Sequence, residues 1–148
     1  MGLRGKVVGQ VEISFHGDVY YEIYRERPHD VPSMCSAIHS IEGQGGTVGS
    51  TITLKFTHDG KTKMAEDVIE AIDDEKKLVK FRVVKGDILE AYKSFSLTCE
   101  VHSNDDDHFV TWTLEYEKLS EEIPLPLSYL QTILDITKEM EDHHHAKK

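Results

Sequence analysis

The sequence predicts an α+β fold: a curved antiparallel sheet of seven strands wrapped around one long C-terminal helix, with two short helices near the start. Three observations predict it. Apolar and polar residues alternate through a succession of segments separated by tight polar turns, the mark of an antiparallel sheet with one buried face. Residues 127–143 instead repeat apolar side chains at helical spacing. Two short helical stretches, punctuated by prolines, separate the first alternating segment from the others.

Residues 3–15 open the pattern. Leu3, Gly5, Val7, Gly9, Val11, Ile13 and Phe15 fall on one side, and Arg4, Lys6, Gln10, Glu12 and Ser14 on the other, as in a half-buried strand. "HGD" breaks the strand, Asp18 offers an N-cap, and "VYYEIYRER" forms a short helix that Pro28 stops. "PHDVPSMCS" is a second short helix or turn, interrupted by Pro32. A strand carrying His39 then leads into "IEGQGGTVGS", residues 41–50, which packs Gly43, Gly45, Gly46 and Gly49 into one loop. Glycine at that density marks backbone that turns sharply or approaches another surface closely.

The remaining strands follow in quick succession. Residues 50–58 place Ile52, Leu54 and Phe56 on one face, and Asp59-Gly60 signals a hairpin into a return strand at 61–72. After the polar turn 73–77, residues 78–85 set Val79, Phe81 and Val83 opposite Lys80 and Arg82. Residues 92–102 align Phe95, Leu97, Cys99 and Val101; beyond the solvated turn 103–107, residues 108–118 align Val110, Trp112, Leu114 and Tyr116. Pro124 and Pro126 close the strand region. The helix from Leu127 to His143, about 25 Å long, carries Leu127, Leu130, Ile133, Leu134, Thr137 and Met140 on one side. It is the only element large enough to cover the apolar face of the sheet. No repeat, low-complexity linker or break in composition divides residues 1–148, which read as one domain.

The chain carries 17 basic and 27 acidic residues, a formal net charge of -10. That balance opposes nucleic acid and anionic membranes as partners. No stretch could span a bilayer. "MGLRGKVVGQVEISF" has neither the apolar run nor the cleavage site of a signal peptide. The expectation is a cytoplasmic protein, a monomer with a dimer left open. Cys35 and Cys99 are expected as free thiols in a reducing compartment. His143, His144 and His145 read as a solvated helix end, because structural metal sites draw converging ligands from several elements. No metal or cofactor is expected.

A helix laid across a concave sheet need not touch it everywhere, and apolar gaps of that kind are the usual small-molecule sites. Alternation alone favours a filled core, since any sheet core shows it. Several stretches together shift that balance. "IEGQGGTVGS" resembles the glycine-rich loop of the Bet v 1 / pathogenesis-related class 10 superfamily. "GLRGKV", "YYEIY", "KGDILEAYKSF", "VTWTLEYEK" and "PLSYLQTILDITKEMEDHH" resemble its major latex protein branch, in order and over essentially the whole chain.

The resemblance implies a seven-stranded sheet gripping a long helix around a large hydrophobic cavity, the Bet v 1-like or START-like helix-grip fold. It implies binding and carriage of a hydrophobic or amphipathic plant metabolite of the steroid, flavonoid, cytokinin or alkaloid class, linked to defence and stress. On that basis the expected ligand-binding residues are His39, Leu54, Phe56, Val79, Phe81, Val83, Phe95, Leu97, Trp112, Leu114, Tyr116, Leu130, Ile133, Leu134 and Thr137. Gly43, Gly45, Gly46 and Gly49 are expected at the cavity rim. Tyr116, His39 and Thr137 would supply the orienting hydrogen bonds. A phosphate-binding loop would end in Lys-Ser/Thr and lead into a helix; here Gly49 is followed by Ser50, Thr51 and a strand.

An alternative is an isomerase, cyclase or condensing enzyme of specialised metabolism using the same cavity. The condensing relatives use a lysine on the last strand. Leu119 falls at its position, and Lys118 stands one residue off and should face the other way. His39, Glu66 and Glu70 remain as candidate titratable groups, but none has a visible partner. No catalytic residue is therefore assigned.

Overall fold

The structure is a computed structural model that describes residues 3–14 and 17–146, with side chains up to His143. Phe15 and His16, and the side chains of His144 and His145, lie outside the described residues. The elements in chain order are β1 (Arg4–Ile13), α1 (Gly17–Glu26), a 3₁₀ turn (Pro28–Ser33), β2 (Ile38–Gly43), β3 (Thr51–His58) and β4 (Lys61–Asp73). β5 (Leu78–Gly86), a second 3₁₀ turn (Asp87–Glu90), β6 (Tyr92–Asn104), β7 (Asp107–Lys118) and α2 (Leu127–Ala146) follow.

The strands form one seven-stranded sheet in the order β1-β7-β6-β5-β4-β3-β2, antiparallel throughout. It is open, with β1 and β2 at its two edges. α1 and the first 3₁₀ turn carry the chain from one edge to the other. Asp59 (φ 52°) and Gly60 (φ 74°) make the β3–β4 hairpin, both in the left-handed region that a tight two-residue turn requires.

Two details differ from expectation. Asp18 stands inside the first turn of α1 rather than before it, and its Oδ1 pairs with Lys77 Nζ at 3.0 Å. The second 3₁₀ turn carries no periodic signal. It is held where Asp87 Oδ2 accepts the backbone N–H of Met64 at 2.9 Å.

α2 starts where the buried Pro126 offers its carbonyl to the N–H of Leu130, 3.1 Å away. The helix settles on β1, and Gly9 explains why. A Cβ built there would stand 2.8 Å from Leu134 Cδ1. The bare backbone therefore lets Leu130 and Leu134 rest directly on the edge strand, opposite Trp112 of β7. On this side Val79, Val110, Leu114 and Met140 are almost completely buried and the interior is filled. Leu127, expected on the buried stripe, is 55% exposed.

Candidate functional site

Because α2 leans toward β1 and β7, it stands away from the β2–β5 half of the sheet. A hollow remains there in two adjoining lobes, of about 90 and 100 Å³ counted as the space open to the centre of a water molecule. A single water needs roughly a tenth of that. The lobes share Ile38, Leu54, Asp67, Leu97, Ile133 and Ile136. Tyr24, Pro28, Val31, Ile41, Ile52, Phe81 and Trp112 complete the first lobe. Phe56, Ala65, Val83, Ile88, Phe95, Tyr129 and Thr132 complete the second.

Of the residues expected from the sequence, Leu54, Phe56, Phe81, Val83, Phe95, Leu97, Trp112 and Ile133 line the hollow. The others do not. Val79 and Leu114 are sealed in the filled half, and Leu130 and Leu134 are spent on Gly9. Tyr116 lies along β1, its hydroxyl so close to Gly5 that a Cβ there would approach it to 2.6 Å. His39 is on the outer face, exposed, with Nε2 2.6 Å from Thr57 Oγ1. A register shift between Ile38 and Ser40 breaks the alternation that would have turned it inward. Thr137 is fully buried but already committed. It accepts from Trp112 Nε1–H (3.0 Å) and donates to Ile133 O (2.9 Å), so it has no hydroxyl proton left for a ligand.

Aromatic groups close both ends. At the first lobe, Tyr24 meets Trp112 edge-on at 5.4 Å and Phe81 at 6.5 Å. The Tyr20 hydroxyl lies 3.3 Å from both the Tyr24 hydroxyl and Thr137 Oγ1. Burial pushes both phenols far above their ordinary range, so they remain neutral. At the second lobe, His58 stacks on Tyr129 at 3.7 Å. Lys63 Nζ donates to His58 Nδ1 (2.7 Å) and to the Tyr129 hydroxyl (3.1 Å), and His58 Nε2 reaches Ser128 Oγ at 2.9 Å. This cluster ties the β3–β4 hairpin to the start of α2. Burial, and then the Lys63 charge, lower the His58 pKa and favour the neutral ring.

One wall residue is out of keeping with the rest. Asp67 on β4 is 7% exposed and borders both lobes, and its Oδ1 is buried without a hydrogen-bond partner. Burial, with a smaller push from Glu66, raises its pKa to about 7. The other polar wall atoms are all engaged: Tyr24 with Met140 Sδ, Trp112 with Thr137, Tyr129 with Lys63, and Thr132 with Ser128 O.

The carboxylates expected on this strand look elsewhere. Glu70 pairs outside with Arg82 (2.8 Å) and Lys80 (3.4 Å), and Glu66 borders neither lobe. Leu119 is 53% exposed. His39, Glu66 and Glu70 thus do not converge on the hollow. Among the described residues no group of three or more His, Cys, Asp or Glu could hold a metal ion. Cys35 and Cys99 are unpaired, and burial raises both thiol pKa values. Among the described residues no helix is long and apolar enough to cross a membrane.

The glycine loop flanks the first lobe. Gly43, Gly45, Gly46 and Gly49 all have φ between 66° and 110°. Two of the loop's carbonyls face nitrogen atoms of neighbouring side chains. Arg25 Nη1 donates to Gly46 O (2.6 Å), and His29 Nε2 lies 2.6 Å from Gly43 O. Gly49 N–H is spent on Ile69 O. A phosphate cradle needs the opposite polarity.

A curved sheet that holds a helix off half of its concave face, over a carbon-lined hollow, defines a helix-grip protein. The chain belongs to the pathogenesis-related protein Bet v 1 family, whose family model matches residues 2–147. It is 38% identical to MLP-like protein 43 of Arabidopsis thaliana over 147 residues, covering 95% of this chain and 93% of that protein. The crystal structure of major latex-like protein 151 from Panax ginseng superposes with a TM-score of 0.94 at 38% identity, covering 97% of this chain and 99% of the other. A norcoclaurine synthase from Thalictrum flavum, solved in complex with dopamine and hydroxybenzaldehyde, aligns at a TM-score of 0.79 but 17% identity. The alignment covers 98% of this chain and 88% of that one, and at that identity the likeness is one of fold alone.

Proposed function

We propose that the protein binds and carries a hydrophobic or amphipathic small molecule in the two-lobed hollow, without transforming it. The ligand classes that suit such a site are plant steroids, flavonoids, cytokinins and alkaloids, and the setting is defence and stress in the plant cytoplasm. The observation that carries the reading is the lining itself. Of the twenty distinct wall side chains, nineteen carry no polar atom or one already hydrogen-bonded, and only Asp67 Oδ1 is left without a partner.

A planar ligand burying about 300 Å² of apolar surface gains on the order of 7 kcal/mol. Association and ordering costs bring that to roughly micromolar affinity. Selectivity from shape is coarse, since one methylene contributes only about 1 kcal/mol.

The test is titration with 1-anilinonaphthalene-8-sulfonate, followed by fluorescence. Wild type should take up one probe molecule. Leu54→Trp, which extends a large ring from the wall shared by both lobes, should weaken uptake by about tenfold or more through overfilling. Tyr116→Leu, away from the hollow, should leave it unchanged. Equal uptake by wild type and Leu54→Trp contradicts the assignment.

A further inference from the structure

We infer that Asp67 makes this hollow selective for an apolar ligand bearing one basic amine, which its carboxyl receives as an ammonium–carboxylate pair. The inference rests on the binding reading above and adds the ligand's chemistry to it. Asp67 is the one charged residue among the six that border both lobes, so a ligand occupying either lobe lies beside the wall that carries it. Its Oδ1 is buried with no donor directed at it. An unmet acceptor in an apolar wall costs free energy that a ligand donor recovers.

The surroundings narrow the choice of donor. The hydroxyl and indole groups of the wall already bond within the protein, so they add nothing to the recognition of a polar ligand. The ammonium of Lys63 is occupied by His58 and Tyr129. Glu66 is the named charge acting on Asp67, and it is of the same sign. A cationic donor therefore meets attraction from both carboxylates and no competing cation among these groups. Because burial raises the pKa of the free carboxyl to about 7, near neutral pH it is present in both protonated and ionised forms. The ionised form pairs directly with an ammonium, and binding of a neutral amine by the protonated form is a balanced proton transfer. The O–H bond of Asp67 breaks, an N–H bond forms on the ligand, and no other reactant is consumed.

The experiment uses three probes of one shape, 2-methylnaphthalene, 2-naphthylmethanol and 2-naphthylmethylamine, titrated into wild type, Asp67→Asn and Asp67→Leu. The hydrocarbon should bind all three proteins within about threefold. The amine should lose about tenfold or more in both variants, the scale of a charge-assisted hydrogen bond, while the alcohol loses less. A direct readout needs no variant: in wild type, the side-chain carboxyl ¹³C resonance of Asp67 should move to the carboxylate position on saturation with the amine and stay in place with the hydrocarbon. An amine that loses no more than the hydrocarbon, or no more than the alcohol, overturns the inference, as does an unmoved resonance. If the hydrocarbon itself fails to bind wild type, the carrier reading falls, and this inference with it.

Discussion

Asp67 occupies a position that folding alone does not favour. Its carboxyl sits among Ile38, Leu54, Leu97, Ile133 and Ile136, where ionisation is opposed first by burial and then by Glu66. The folded-state pKa, about 7, is above the ordinary 3.8. The folded protein therefore holds this proton over a range in which the unfolded chain has released it. The stabilising contribution is complete below about pH 4 and is lost as pH rises through 7, a change of roughly 4 kcal/mol. Urea denaturation across that range should show Asp67→Asn gaining stability relative to wild type as pH rises; a constant difference would mean that the carboxyl is solvated. The residue was not legible in the sequence. In β4 both parities carry apolar side chains, with Met64, Val68 and Ile72 on one and Ala65 and Ile69 on the other. Alternation alone therefore could not choose between Glu66 and Asp67. The register does so, by setting Asp67 against the inward-facing Val83.

At the scale of elements, the sheet was read well because its signal is local. Alternation and turn residues mark each strand, and Val79, Phe81, Val83, Phe95, Trp112 and Leu114 all proved inward-facing. The helix was harder. Its apolar stripe is broad enough to serve two surfaces: Leu130 and Leu134 meet β1, while Tyr129, Thr132, Ile133 and Ile136 face the hollow. Which half of the sheet receives the helix depends on Gly9, a contact far away in sequence. The glycine loop, by contrast, announces its constraint. A Cβ at Gly43 would fall 2.4 Å from the carbonyl oxygen of Thr51, at φ 110°, whereas one at Gly49 meets nothing within 4 Å. Both substitutions strain the backbone, but only one collides with it. Gly43→Ala should therefore destabilise by at least about 1 kcal/mol more than Gly49→Ala in chemical denaturation. Equal losses would mean that the loop relaxes freely around Gly43.

At the scale of the molecule, the sheet's curvature and the helix's lean together produce an interior filled on one side and hollow on the other. That division follows from long-range packing and was out of reach of periodicity, which predicted inward faces but not where they part. It also explains why seven of the expected lining residues are core instead or face outward: His39, Val79, Leu114, Tyr116, Leu130, Leu134 and Thr137 belong to the filled half or to the exterior. The most direct measurement of the central claim is a methyl-resolved NMR titration with 2-methylnaphthalene. The account predicts shifts at Ile38, Leu54, Leu97, Ile133 and Ile136, which surround both lobes, and none at Val79, Val110 or Leu114 in the filled half. Shifts confined to exposed methyls such as Val8, Val48 and Leu119, or no shifts at all, would contradict it.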